Sequence, residues 1–385
     1  MELKSLIKKY TILYKLYYYI LTSIIVLIRS LVKKDKNLIL FVSYGGRYFN
    51  DSPKCIYEAM LRDERFIGYN LVWAFIKPDE FNIYTPKIEI NSFSYLLTAI
   101  KARCWVTNVS VERGLNIKDK HTFYFHTTHT TLPKLSGYDG EDFKTGVYSL
   151  YKIKYDCSCA QSTIEKDMQK SMYGLKDDQI IVSGYPKNDI LCHYTTEQRN
   201  MLRIHLGIPK DKIAILYAPT FRDVYYGAMN CPINFKKWES VLGERYVILF
   251  RAHPVVVNNT KIDTSTGFML DVSNYPDNSD LMIASDILIS DYSGIFFEYA
   301  VQKKPMFCFA YDYEEYIKHR RLYFDIREKI PGGFMSEVEL LNVIKERAFE
   351  KYDDIWNKFR DDYVSEYGNA TEKCLDTIYY SIANN

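Results

Sequence analysis

No Cys-x-x-Cys pair, no Gly-x-Gly-x-x-Gly fingerprint, no internal repeat and no low-complexity tract occurs in the 385 residues. The eight cysteines, Cys55, Cys104, Cys157, Cys159, Cys192, Cys231, Cys308 and Cys374, lack the spacings of a zinc site or a secreted disulfide framework, and read as free thiols of a reducing compartment. Cys157 and Cys159 lie two apart on a candidate strand, share one face, and are expected as buried thiols. Charge of one sign is scarce too: 50 Lys and Arg oppose 48 Asp and Glu, a net of +2, which excludes the field of a dedicated nucleic-acid binder. With 47% hydrophobic and 25% charged residues the chain is not disordered, and its length suggests two domains.

What charge there is concentrates at the amino terminus. Met1 to Lys36 holds eight Lys or Arg against Glu2 and Asp35, a net of +6, so the remainder is slightly acidic at −4. Between Lys15 and Arg29 an uncharged, tyrosine-rich run, Leu16 to Ile28, falls short of the ~20 residues that span a bilayer. Basic flanks and interfacial tyrosines predict a helix lying in the plane of an anionic membrane surface, a monotopic anchor over 1–36. A single spanning helix from Tyr10 to Ile28, with Lys15 snorkelling, is the alternative. Leu-Ile-Arg-Ser-Leu-Val-Lys-Lys after the apolar run offers no small-residue site, which argues against a cleaved signal peptide.

Beyond Lys36, short apolar runs alternate with amphipathic stretches. Runs at 37–44, 69–76, 104–108, 122–126, 157–161 and 180–184 have strand length and β-branched or aromatic content, and a second series follows at 213–218, 246–250, 268–272, 286–290 and 305–310. Near-continuous apolar strands separated by helices predict parallel sheets covered on both faces. The polar stretch His193 to Lys212 divides the series, giving an amino-terminal Rossmann-like domain over 37–195 and a carboxyl-terminal one over 196–385. Ligand is expected between them, at the carboxyl ends of the strands.

Polar residues follow those ends. Strand 286–290 runs into Asp291-Tyr292-Ser293-Gly294 and a helical pattern from Ile295 to Lys303, where a capping Ser, a Gly and the helix dipole suit a diphosphate or, equally, an ordinary helix cap. His253 follows strand 246–250 and His129 lies just beyond strand 122–126; each is a candidate proton carrier, with a structural role as the alternative. His121, His126 and His129 have no carboxylate or Cys at ligating spacing, so no metal is expected.

The segments Gly184-Tyr-Pro-Lys-Asn-Asp189, Tyr217-Ala-Pro-Thr-Phe-Arg-Asp223, Phe250-Arg-Ala-His-Pro254 and Ser290-Asp-Tyr-Ser-Gly-Ile-Phe-Phe-Glu-Tyr-Ala300, in this order, resemble the CDP-glycerol glycerophosphotransferase family of teichoic acid and capsule polymerases and primases. The resemblance runs from about Phe125 to Asp325. It implies an α/β, GT-B-like fold of two Rossmann-like domains whose parallel sheets face a central cleft, peripheral on the cytoplasmic face of the membrane. It also implies transfer of glycerol phosphate or ribitol phosphate from CDP-glycerol or CDP-ribitol to a polymer or lipid-linked acceptor, releasing CMP, with no cofactor and no nucleic-acid partner.

Residue roles are carried over on the same footing. The family's His-Gly-Thr-Pro-Leu-Lys motif places the base at His129, with Thr130, Thr131 and Lys134 on the acceptor side, and the Arg-x-His-Pro motif places the second catalytic group at His253. Thr220, Arg222, Arg251, Asp291, Ser293, Gly294 and Glu298 make up the donor phosphate and nucleotide side; Arg222 is either a phosphate ligand or an ion-pair partner of Asp223. Four departures stand out: Thr130 replaces a Gly, Leu132-Pro133 inverts the family's Pro-Leu order, Lys187 stands where the family has Arg, and Gly294 replaces a second Ser. Two other readings of the architecture are a glycosyltransferase using a nucleotide sugar and a non-catalytic nucleotide- or polymer-binding scaffold at the membrane.

Overall fold

The computed structural model describes residues 11–131, 133–144, 150–220, 222, 232–252, 263–330 and 332–383. His253 and Pro254, Phe221 and Asp223, Leu132, Cys231 and the first ten residues lie outside the described residues. Contacts divide the chain into two units, the first built from 1–129, 136–189 and 369–385, the second from 130–135 and 190–368. Five helices matter below: α1 (Thr11–Leu31), α2 (Asp51–Met60), α3 (Thr163–Tyr173), α4 (Ile295–Tyr299) and α5 (Ala370–Ala383).

The first unit carries seven strands, β1 (Asp35–Val42), β2 (Asn70–Phe75), β3 (Lys87–Glu89), β4 (Ala102–Thr107), β5 (Phe123–His126), β6 (Cys157–Ala160) and β7 (Ile180–Val182). They pair in the order β3-β2-β1-β4-β5-β6-β7, every pairing parallel. Along β1 successive side chains point to opposite faces, and both faces are dry. Ile39 and Phe41 join Trp73 and Phe125 in one core, whereas Leu38, Leu40 and Val42 join Trp105 in another. Cys157 and Cys159 are buried on the face of Ile39, as their spacing predicts.

That face is closed by α5, whose Cys374, Leu375, Ile378 and Ile382 belong to the same core. Asp189 fixes its start: the carboxylate accepts from the amides of Ala370 at 3.0 Å and Thr371 at 2.8 Å, satisfying donors that the first helical turn leaves open. A continuous second domain over 196–385 is therefore corrected. An amphipathic helix at the end of a chain buries its stripe wherever a sheet face is open, and the open face was on the first sheet.

On the other face α1 docks by a narrow stripe. Ile25 is buried with Leu40, Tyr14 and Tyr151 share a hydroxyl hydrogen bond of 2.6 Å, and Arg29 Nη1 donates to the carbonyl of Lys118 at 2.6 Å. The helix is 21 residues long, longer than the uncharged run that predicts it. Its outer side leaves Ile12, Leu16, Leu27 and Leu31 between 58% and 82% exposed.

The second unit holds β8 (Ile213–Tyr217), β9 (Tyr246–Phe250), β10 (Met269–Asp271), β11 (Ile287–Ser290) and β12 (Met306–Cys308), all parallel in the order β10-β9-β8-β11-β12. Residues 133–135 run antiparallel beside 321–323 in this unit, with Leu135 donating to Arg321 at 3.0 Å and Tyr323 to Pro133 at 2.8 Å. The acceptor-side motif starting at His129 is thus divided: His129 is counted with the first unit, and Thr130, Thr131 and Lys134 with the second.

Candidate active site

Each sheet has a point where strand order reverses, between β1 and β4 in the first unit and between β8 and β11 in the second, and open α/β sheets bind ligands in the crevice at the carboxyl strand ends beside such a point. In the first unit Tyr44, just past β1, donates its amide to Asn108 Oδ1, just past β4, at 2.8 Å. The backbone around this point is strained. Tyr44, Asp51 and Thr128 all have positive φ, 45°, 63° and 52°, beside Gly45 and Gly46. For a β-branched Thr such a conformation costs on the order of 1–3 kcal/mol, and strain of this kind gathers at functional sites.

What the strained turns surround is His129. The Lys187 ammonium donates to the backbone carbonyl of His129 and pairs with Asp51 Oδ2 at 3.2 Å, with both charged side chains largely out of water. Tyr44 donates its hydroxyl to the same Asp51 oxygen at 2.9 Å, and its ring meets the imidazole edge-on at 5.9 Å. Burial disfavours the imidazolium, and the Asp51 charge that would favour it is opposed by Lys187, so the pKa of His129 lies below its usual 6.5. A half-buried, neutral imidazole on a braced turn is suited to accept a proton.

His126 has a different environment. It is buried, stacked on Tyr155 at 3.9 Å and edge-on to Tyr173, and burial, with His129 nearby, pushes its pKa down to about 3. It is a neutral core residue. Among the described residues no three His, Cys, Asp or Glu side chains converge as metal ligands would.

In the second unit Asp291 bridges the reversal point. Its Oδ1 accepts from the amides of Thr220 at 2.8 Å and Tyr292 at 2.7 Å, and its Oδ2 from Arg222 Nη2 at 2.8 Å. Arg222 also makes a bidentate pair with Asp312, at 2.7 and 2.9 Å, and lies 5.0 Å from the centres of the Tyr292 and Tyr316 rings. Burial alone would disfavour the guanidinium, but two carboxylates outweigh it and hold it firmly charged. Arg222 is thus an ion-pair partner of Asp291 and Asp312, a role not anticipated, while the pair expected with Asp223 lies outside the described residues.

The other donor-side residues divide. Arg251 Nη1 donates to the carbonyls of Val272 and Tyr275, at 3.3 and 2.8 Å, which fastens the loop after β10. Ser293 is half-buried and its hydroxyl accepts from the amide of Ile295 at 3.3 Å, closing a turn ahead of α4, whose own cap position is Gly294. That helix is only five residues long and passes into a 3₁₀ turn, Ala300–Gln302; a continuous helix from Ile295 to Lys303 is corrected, since Lys303 turns left-handed at φ 57°. Glu298 is buried at 6% exposure. The Thr220 hydroxyl is buried without a partner among the described residues, an open hydrogen-bonding group at this crevice. Lys134 lies over the Tyr316 ring at 5.6 Å.

The missing Cβ of Gly294 leaves room for protein. A Cβ there would overlap the Thr130 hydroxyl and come within 2.8 Å of both Thr130 Cγ2 and the Thr131 carbonyl. Close approach of backbone is what this Gly permits, as its type suggests, but the approaching backbone is the segment after His129.

Sequence reasoning passed over Asp51, Tyr44 and Asn108. The signal for them was the Tyr44-Gly45-Gly46 turn directly after an apolar strand, a backbone able to reach unusual φ at a reversal point.

Residues 21–380 match the family described as CDP-glycerol:poly(glycerophosphate) glycerophosphotransferase. The chain belongs to that family. Among glycerophosphotransferase relatives it is 31% identical to the teichoic acid poly(glycerol phosphate) polymerase of Staphylococcus epidermidis, over 92% of this chain and 52% of that protein. It is likewise 31% identical to the teichoic acid glycerol-phosphate transferase of Staphylococcus aureus, over 90% of this chain and 93% of that one. The chain thus spans about half the length of the first relative and nearly all of the second. In structure it is similar to a histidine variant of the wall teichoic acid polymerase TagF soaked with CDPG, with a TM-score of 0.85, 29% identity and 98% of each chain covered. The two parallel sheets are those expected from the strand pattern, and their GT-B-like type is the one that the family resemblance implies.

Proposed function

We propose that this chain transfers a polyol phosphate, glycerol phosphate or ribitol phosphate, from its CDP ester to a hydroxyl of a teichoic-acid-like or capsular polymer or a lipid-linked acceptor. The observation that carries the mechanism is the braced, neutral imidazole of His129 beyond the carboxyl end of β5. His129 takes the proton of the acceptor hydroxyl as that oxygen attacks the polyol-bound phosphorus. The new P–O bond forms as the bond to the bridging oxygen breaks, and CMP departs with the bonding pair. His253, the Ser293 hydroxyl and the amides of Ser293 and Gly294 stabilise the charge that grows on the phosphate oxygens, so the reading calls for no metal and no cofactor. Arg222 acts at one remove, by holding Asp291 and through it the Thr220 loop.

The outer side of α1 supports a peripheral position on the cytoplasmic face of the membrane. Its apolar residues are exposed on one side, while Tyr14 near one end and Arg29 near the other are tied to the first unit, an arrangement that favours a helix lying in the interface over one crossing it.

Donor screening tests the proposal: CDP-glycerol, CDP-ribitol and UDP-sugars are each offered with the same membrane acceptor fraction, and release of CMP from the first two and of UDP from the sugars is followed. Turnover of a CDP-polyol is expected. Turnover of a UDP-sugar alone would make the protein a glycosyltransferase, and nucleotide binding without turnover would make it a scaffold.

A further inference from the structure

At the end of the first sheet opposite His129 lies a cleft of about 690 Å³, within the usual size of ligand sites. The segments leading into β5, β6 and β7 form it, through Lys118 to Lys120, Ile153 to Asp156 and Gln179, together with Gly174, which ends α3 at φ 66°. Asn116, Leu175 and, from α1, Arg29 complete the wall. Four cations, Arg29, Lys118, Lys120 and Lys154, face two carboxylates, Asp119 and Asp156.

The carboxylates are already engaged. Asp119 pairs with Lys34 at 3.2 Å, a lysine outside the lining, and Asp156 with Lys118 at 3.0 Å. The other three cations rest mainly on neutral groups. Arg29 donates to a carbonyl, Lys154 to the Asn116 side chain with Glu112 no nearer than 3.9 Å, and Lys120 has no partner among the described residues. Burial pushes the Glu112 carboxyl upward and the pKa of Lys154 downward; Glu112 opposes the fall at Lys154, and the positive charges of Arg29, Lys118 and Lys152 add to it. Neutral acceptors orient a cation without cancelling its charge, so the cleft carries an unmet demand for an anion.

We propose that the cleft receives the glycerol phosphodiester headgroup of an anionic membrane lipid. The lipid source follows from Arg29, which belongs to the helix whose other side is the exposed apolar row, so a phosphodiester in the cleft lies within one side chain of that helix. The proposal rests on the reading of α1 as membrane-facing and deepens it: the apolar row supplies attachment, and the cleft selects the lipid.

Flotation of the full chain with phosphatidylcholine vesicles, with and without 30% phosphatidylglycerol, tests it. Wild type should favour the anionic vesicles at least ~20-fold, a few surface lysines' worth at about fivefold each. Lys120→Gln with Lys154→Gln should remove most of that preference and leave binding to neutral vesicles unchanged. Lys33→Gln with Lys36→Gln, an equal number of exposed lysines outside the cleft, should cost no more than about fivefold. Soluble glycerophosphoglycerol, the deacylated headgroup, should compete away the preference in wild type. Equal losses from the Lys33 and Lys36 pair and from the cleft pair, or no competition by the headgroup, would overturn the cleft in favour of diffuse attraction. Vesicle-independent capture of soluble poly(glycerol phosphate), lost in the cleft variant, would make the cleft a polymer site and overturn the lipid. Leu16→Ser with Leu27→Ser should weaken binding to both kinds of vesicle; unchanged binding there would sink the membrane reading of α1 itself, separately from the cleft.

Discussion

Thr130 fills the space that a side chain at Gly294 would need: a Cβ there would lie 2.8 Å from Thr130 Cγ2. Gly294 has ordinary helical φ and ψ, −65° and −13°, so room alone demands the glycine. The resemblance marks both positions as departures, Thr where the family has Gly and Gly where it has Ser, and the structure makes the two a single exchange of bulk. Gly294→Ser should therefore destabilise the second unit by about 1–3 kcal/mol, the usual cost of overpacking. Adding Thr130→Gly should restore the part due to the Thr130 side chain, leaving the part due to the Thr131 carbonyl, and a double-mutant cycle by urea denaturation measures the coupling. Additive losses would show that the positions do not compensate.

For His129 the expected variant is a non-transferring enzyme that still binds donor. His129→Ala should lower kcat by about 10²–10⁴-fold while CDP-polyol affinity, measured by calorimetry, changes little. His126→Asn should cost mainly stability, because that ring is packed on Tyr155.

The pH profile follows from the same group. A pKa below 6.5 keeps the imidazole neutral, and able to take a proton, to lower pH than a free histidine, so the acid limb of kcat/KM should fall below pH 6.5. Lys187→Met removes a charge that depresses the pKa and frees Asp51, which raises it; the limb should move up. An unmoved limb would assign it to another group.

Arg222→Ala should cost stability by about 3–5 kcal/mol, since it strands Asp291 and Asp312 without their counter-charge. Weaker donor binding is expected as a consequence, through the Thr220 loop. Unchanged denaturation midpoint with lost CDP-polyol affinity would return Arg222 to direct phosphate contact.

Transfer is expected to survive EDTA, because hydrogen-bond donors are assigned the charge on the phosphates. Activity lost to EDTA and restored by a divalent ion would require a metal at the donor.

Eleven of the strands were legible because a strand buried on both faces must be apolar throughout. Lys87-Ile88-Glu89 escaped notice because an edge strand can be three residues long and charged. The crevice residues were legible as strand-end polar groups, but their partners were not: Arg222 meets Asp312 across 90 residues, and no local spacing announces a pair made by the fold. Lys187 was noted for its type alone, and its bond to the carbonyl of His129 needs the turn at Thr128, which a β-branched residue does not advertise.

Because α5 closes the core of the first sheet, the last-made part of the described chain completes the unit begun first. During synthesis the Ile39 and Phe41 face, covered in part by Ile56 and Tyr57 of α2, stays incompletely closed until 190–368 has emerged and Leu375 and Ile378 can seal it. The strip of apolar face that awaits α5 is a place for a chaperone to hold, and its closure ties the maturity of the base-bearing unit to the synthesis of everything between.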